Sequence, residues 1–188
     1  MENKFKILVR SAHSIIYIIS DTEIGKVHSS RSVWTDMEGN VIDPPFPDRN
    51  TIDEQIRLLQ FANKINDLVV KFVRKDEYQG NEMLVMERLY PMTTESFTRT
   101  EIENFMADFE TKLKDLHQNG FIHGDIIRPR LPKPECFENI ILTKDGFRLI
   151  DADFSISLDM EHVRAYVRKQ IDEEAELELF MKHFLEAN

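Results

Sequence analysis

Phe121-Ile122-His123-Gly124-Asp125-Ile126, followed at residues 139–155 by NIILTKDGFRLIDADFS, are the two stretches that decide how this chain is read. A helix pattern leads into the first. Ile102, Phe105, Met106, Phe109, Leu113 and Leu116 recur at the spacing of one buried helical face, while Asp108, Glu110, Lys112, Lys114 and Asp115 fall on the other side. Thr98 with Glu101, and Thr100 with Glu103, each offer a capping box at its start, and Asn119-Gly120 supplies a left-handed stop. Phe121 and Ile122 then anchor the loop in a core, so His123 and Asp125 are expected at a fixed place.

The second stretch reads as a hairpin. Asn139-Ile140-Ile141-Leu142 and Phe147-Arg148-Leu149-Ile150 are short apolar runs joined by Thr143-Lys144-Asp145-Gly146, and Asp-Gly is a turn signal. Such a hairpin puts Asn139 at the entry of one strand and Asp151 at the exit of its partner, facing each other across a small gap.

In kind and in order, His123-Gly124-Asp125, Asn139 and Leu149-Ile150-Asp151 resemble the catalytic loop, the metal-binding asparagine and the metal-binding aspartate of the protein kinase superfamily. The resemblance implies an α+β, minimal bilobal protein kinase-like fold. A single domain over residues 1–188 would comprise a small β-rich N-lobe (1–87) and a hinge with a truncated helical C-lobe (88–188). It also implies ATP and Mg2+. Asp125 would accept or orient the proton of a substrate hydroxyl, with His123 beside it in the catalytic loop, and Asn139 and Asp151 would hold Mg2+. Asp153 is the alternative ligand, because Asp153-Phe154-Ser155 also resembles the Asp-Phe-Gly triplet.

Upstream, NEMLVMERL at residues 81–89 is similar to the last small-lobe strand and the hinge, which places adenine beside Glu87 and Leu89, with Met86 guarding the back of the pocket. Lys26, in Gly25-Lys26-Val27, matches the lysine that clamps the nucleotide phosphates. Glu54 is its expected ion-pair partner, although Thr51-Ile52-Asp53-Glu54 is equally a capping box.

The chain also departs from that family. Kinases cover the phosphates with a glycine-rich loop, whereas the first glycine here is Gly25. In the corresponding turn, Arg10 to Ser14, the hydroxyls of Ser11 and Ser14, or Arg10 and His13, are left to meet the nucleotide. Residues 126–138 separate Asp125 from Asn139, and this longer connection carries Arg128, Arg130 and Lys133 among stiff prolines. One of these cations would replace the loop lysine that neutralises the transferring phosphate; the alternative is an exposed loop that contacts a partner or nothing. Gly124 stands where regulated kinases carry an arginine that grips a phosphorylated activation loop, so that form of switching is not expected. After Ser155, one helix is expected to bury Met160, Val163, Val167 and Ile171, and a second, or its continuation, Leu177, Phe180, Met181, Phe184 and Leu185. Asp172 is the candidate for holding the catalytic loop from below.

Composition bounds the rest. With 188 residues, 41% of them hydrophobic, the chain can bury a core. A net charge of −10 argues against nucleic acid as the main partner. Much of that charge lies in Asp172 to Glu178, which reads as a solvated helix face. Cys136, the single cysteine, excludes an internal disulfide, and no apolar run is long enough to span a bilayer. The expectation is a cytoplasmic enzyme, or one delivered into a host cytosol, as the resemblance to small bacterial effector kinases implies. It would act on a serine or threonine of a protein substrate, with an activating protein partner as a further possibility. A small-molecule phosphotransferase and an inactive binding module are the alternatives.

Overall fold

The computed structural model describes residues 5–11, 14–28, 34–35, 41–42, 49–126, 137–159 and 163–186. Ala12 and His13 of the expected phosphate turn, the inserted cations Arg128, Arg130 and Lys133, Cys136 and Met160 lie outside them.

The first apolar runs form β1 (Lys6–Arg10) and β2 (Ser14–Ile18), paired antiparallel, and β3 (Glu23–His28) returns alongside β2 with Lys26 opposite Ile16. Between His28 and Asn50, a stretch that reads as loop, β4 (Trp34–Thr35) and β5 (Val41–Ile42) make a small antiparallel pair. Strand-forming residues on either side of Gly39-Asn40 account for it.

Helix α1 (Ile52–Ile65) opens on the Thr51–Glu54 capping box and buries Ile52, Gln55, Leu58, Leu59 and Ala62. Strands β6 (Phe72–Tyr78) and β7 (Asn81–Glu87) form a hairpin whose tip, Gln79-Gly80, has φ of 55° and 77°, the mirrored turn that suits the strand twist. β7 lies between β3 and β6 in a five-stranded sheet of order β1-β2-β3-β7-β6. Alternation along β7 sends Met83 and Val85 to a cluster with Tyr17, Val27 and Tyr78. Leu84 and Met86 face the opposite side, toward α1 and the main core.

The second half follows the expected order. Helix α2 (Arg99–Gln118) starts at Thr98 with Glu101 as its capping partner, buries Ile102, Met106, Phe109, Leu113 and Leu116, and stops at Gly120 with φ 89°. β8 (Phe121–Ile122) leads to the loop at His123, and β9 (Ile140–Thr143) pairs with β10 (Gly146–Leu149) in the expected hairpin. β11 (Ile156–Ser157) pairs with β8, Ile122 opposite Ile156. The two halves are joined where Leu149 donates its N–H to Leu68 O and Val70 donates to Leu149 O, both at 2.8 Å. One apolar core runs across this junction, from Leu59 and Met86 to Leu113, Phe147 and Phe180. The result is a sheet-rich first half and a helical second half, a small bilobal fold.

Helix α3 (Val163–Glu186) takes the second of the two alternatives, continuation, and corrects the burial expected along it. It is one continuous helix, and its buried face carries Tyr166, Glu173, Leu177 and Phe180, while Val163, Val167 and Ile171 are 65, 46 and 60% exposed. Steps of four residues drift by about 40° each around a helix, so those three spread away from the seam that Tyr166, Glu173 and Phe180 keep. The acidic run is therefore not all solvated: Glu173 is buried and Asp172 is exposed.

Candidate active site

The loop after β8 is held from three sides. Gly124 has φ 78°, and a Cβ there would lie 2.5 Å from Phe154 O, so backbone and space both require glycine. That is the physical reason no arginine stands here. Glu173 on α3 accepts the N–H groups of His123 (3.2 Å) and Gly124 (2.5 Å), and its Oε1 lies 3.0 Å from His117 Nε2. The expected anchor, Asp172, is one residue away on the wrong side of the helix. His123 is buried, and its Nε2 lies 2.9 Å from Ile150 O; a carbonyl only accepts, so Nε2 carries the proton. Ser155 Oγ in turn donates to His123 O at 2.9 Å.

Asn139 sits where the hairpin begins. Its Nδ2 donates to Asp125 O (2.6 Å) and to Asp125 Oδ2 (3.0 Å), which fixes the half-buried Asp125 carboxylate. The N–H of Ile150 donates to Asn139 O at 2.9 Å, so the strand carrying Asp151 leaves directly beside it. His123, Asp125, Asn139 and the backbone before Asp151 are thus one hydrogen-bonded unit.

Asp151 has φ 70°, a left-handed conformation that few residues other than glycine adopt and that Asp tolerates better than most. Strain of this kind gathers at functional sites. From β3, Lys26 brings its ammonium to Asp151 Oδ1 at 2.7 Å, Asp153 Oδ1 at 2.5 Å and Gln55 Oε1 at 3.2 Å. The two aspartates differ in setting. Asp153 is 1% exposed, and Arg49 Nη1 holds its other oxygen at 2.9 Å; the Asp151 side chain is 24% exposed. Burial would raise the Asp153 carboxyl, but neighbouring His28 and Lys26 outweigh it and hold it well below the usual carboxylate range.

Glu54 does not meet Lys26. Its carboxylate accepts from Thr51 N–H (2.7 Å) and Thr51 Oγ (2.9 Å), the capping-box arrangement, and the next residue, Gln55, reaches the lysine. The bonds from Thr51 N–H and its hydroxyl also hold the Glu54 carboxyl below its ordinary value.

Ser11 and Ser14 bond to one another. Ser14 N–H donates to Ser11 Oγ at 2.9 Å and Ser11 N–H to Ser14 O at 2.9 Å, one hydroxyl and one backbone bond tying the residue after β1 to the first residue of β2. Met86 and Leu89 pack against the main core. The Glu87 carboxylate accepts from Lys71 N–H (2.7 Å) and from Arg148 on β10, tying the end of β7 to the hairpin below.

Among the described residues, no group of three or more His, Cys, Asp or Glu forms a ready-made cation cage. Mg2+ commonly relies on one or two carboxylates plus phosphate and water oxygens, so a site of Asp151 and Asn139 fits a cation that arrives on a nucleotide.

Sequence reasoning missed Gln55, Arg49, Asn50 and Glu173. Gln55 and Glu173 did carry a signal, since each is a polar residue on an otherwise apolar helical face.

No family model matches the sequence, and no curated protein matches it. Solved structures do. The Lpg2603 kinase of Legionella pneumophila, in a structure with IP6 bound, is similar over 92% of this chain and 56% of its own, with TM-score 0.57 and 17% identity. The Rio2 kinase of Chaetomium thermophilum, in an ADP/Mg2+-phosphoaspartate complex, is similar over 87% of this chain and 51% of its own, with TM-score 0.52 and 16% identity. The chain spans about half the length of these structures. At such identities the likeness is one of architecture: this chain has a protein kinase-like fold.

Proposed function

We propose that the chain transfers the γ-phosphoryl group of ATP to a serine or threonine hydroxyl of a protein, as a minimal atypical kinase. The observation that carries this reading is the hydrogen-bonded unit of Asp125, Asn139 and the strand into Asp151, with Lys26 2.7 Å from Asp151. ATP would lie between residues 1–87 and 88–188, adenine beside Glu87 and Leu89 with Met86 behind it, and the turn with Ser11 and Ser14 above the phosphates. Lys26 would hold the phosphates. Asp151 and Asn139 would hold Mg2+, which supplies positive charge to the phosphate oxygens. Asp125, oriented by Asn139, would align the acceptor hydroxyl and take its proton, a contribution of about 10²- to 10⁴-fold. His123 would act by position, bracing the catalytic loop against Ile150. No helix among the described residues is long and apolar enough to cross a membrane.

The test is radiolabelled ATP with cell lysate, comparing wild type with Asp125→Asn and Asp151→Ala. Labelled protein bands are expected from wild type alone. Asp125→Asn should keep nucleotide binding, and Asp151→Ala should lose its magnesium dependence. Label appearing only in small products would favour a small-molecule acceptor, and no thermal shift at millimolar Mg-ATP would favour a binding module. Full transfer by either variant overturns the assignment.

A further inference from the structure

We infer that Asp153 is the positioning residue that holds Lys26 toward the nucleotide phosphates, in the place expected for Glu54, which leaves Asp151 to the cation; this rests on the phosphoryl-transfer reading above. An ammonium has three N–H donors, and Lys26 spends them on Gln55, Asp151 and Asp153. When Asp151 turns to a cation, two acceptors remain. Gln55 is neutral, and a lysine only 3% exposed needs a counter-charge, because burying an unpaired charge is expensive. Asp153 supplies it at 2.5 Å.

The counter-charge is itself immobilised. Arg49 Nη1 holds Asp153 Oδ2 at 2.9 Å, and its guanidinium lies 5.3 Å from the centre of the Phe154 ring. Asn50 donates its N–H to Asp153 O (2.9 Å) and its side-chain amide to Ala152 O (2.9 Å) and Ser155 O (2.8 Å). Gln55 Nε2 closes the ring on Asn50 O at 2.9 Å. With each oxygen already on a protein cation, Asp153 is poorly suited to bind a metal. Helix α1 and the loop after β10 form one unit, so the lysine is set without a helical glutamate swinging in.

The experiment moves the charge. Affinity for a fluorescent Mg-ADP analogue is measured for wild type, Asp153→Asn, Gln55→Glu in the Asp153→Asn background, and Lys26→Met, each with a melting curve. Asp153→Asn is expected to weaken binding by about tenfold or more, like Lys26→Met, and Gln55→Glu, one oxygen of which lands where Gln55 Oε1 now meets Lys26, should return affinity to within about threefold of wild type, while the lost Nε2 bond to Asn50 O lowers its melting temperature. If Asp153→Asn does not fold, the double variant decides, since it keeps the net charge: a folded double variant bound more weakly than that overturns the inference. Unchanged binding in Asp153→Asn also overturns it, leaving the proposed function intact. No nucleotide binding by the wild-type chain overturns both.

Discussion

Glu173 accepts the peptide N–H of Gly124 at 2.5 Å while its other oxygen takes that of His123 at 3.2 Å, so one buried carboxylate on α3 carries the loop that presents Asp125. Removing it strands the buried N–H of His123 and the part-buried N–H of Gly124, and takes the partner from the buried His117 Nε2. Glu173→Ala is expected to cost about 3 kcal/mol or more in stability, and Glu173→Gln less, because its amide keeps one acceptor. Denaturant melts of both variants check the order. In transfer assays under folding conditions, the loss should fall on turnover rather than nucleotide affinity. An alanine variant as stable as wild type would mean the loop stands without this anchor.

Gly124 and Gly80 separate backbone strain from space. Both have positive φ, 78° and 77°, but a Cβ at Gly80 meets nothing within 4 Å, while at Gly124 it strikes Phe154 O. Gly80→Ala should therefore cost only the left-handed penalty, about 1–2 kcal/mol. Gly124→Ala should cost clearly more, and should also lower transfer by shifting the Phe154 backbone. Equal losses in the two melts would show that the contact at Gly124 relaxes freely.

What was legible follows from range. The α2 cap, the stop at Gly120 and the hairpin from Asn139 to Asp151 are set by residues within a few positions of one another, and each lies where its pattern puts it. The partner of Lys26 and the anchor of the His123–Asp125 loop are long-range choices. At both, the expected residue lies one helical position from the one that makes the contact, Glu54 beside Gln55 and Asp172 beside Glu173: acidity favours Glu54 over the neutral Gln55, and only helical phase separates the two acids on α3. A step of one residue is about 100° of rotation, enough to move a side chain from the core to solvent.

Phase also sets what α3 tolerates. Replacing Val163, Val167 or Ile171 with serine should change stability by no more than about 0.5 kcal/mol each, as at other exposed sites. Phe180, unexposed and 5.2–5.3 Å from the rings of Phe109, Phe137 and Phe147, should cost about 3–5 kcal/mol when cut to alanine. Denaturant titration of the four variants tests this. A large loss at Val167 together with a small one at Phe180 would reverse the helix's orientation.

Tyr166 gives the fold an alkaline limit. Its hydroxyl donates to His117 O at 2.8 Å, and burial, aided by the charge of Glu173, pushes it from 10.0 up to about 12. The unfolded chain ionises this phenol first, so its stabilising contribution is whole below pH 10 and is lost as pH rises from about 10 to 12. Two units correspond to about 2–3 kcal/mol. Tyr166→Phe loses the hydrogen bond, about 1 kcal/mol at neutral pH, but escapes that titration. The stability gap between wild type and Tyr166→Phe, measured by denaturant at pH 8 and pH 11.5, should therefore shrink or change sign at the higher pH. A gap that stays constant between the two would mean that Tyr166 ionises as readily in the folded chain as in the unfolded one.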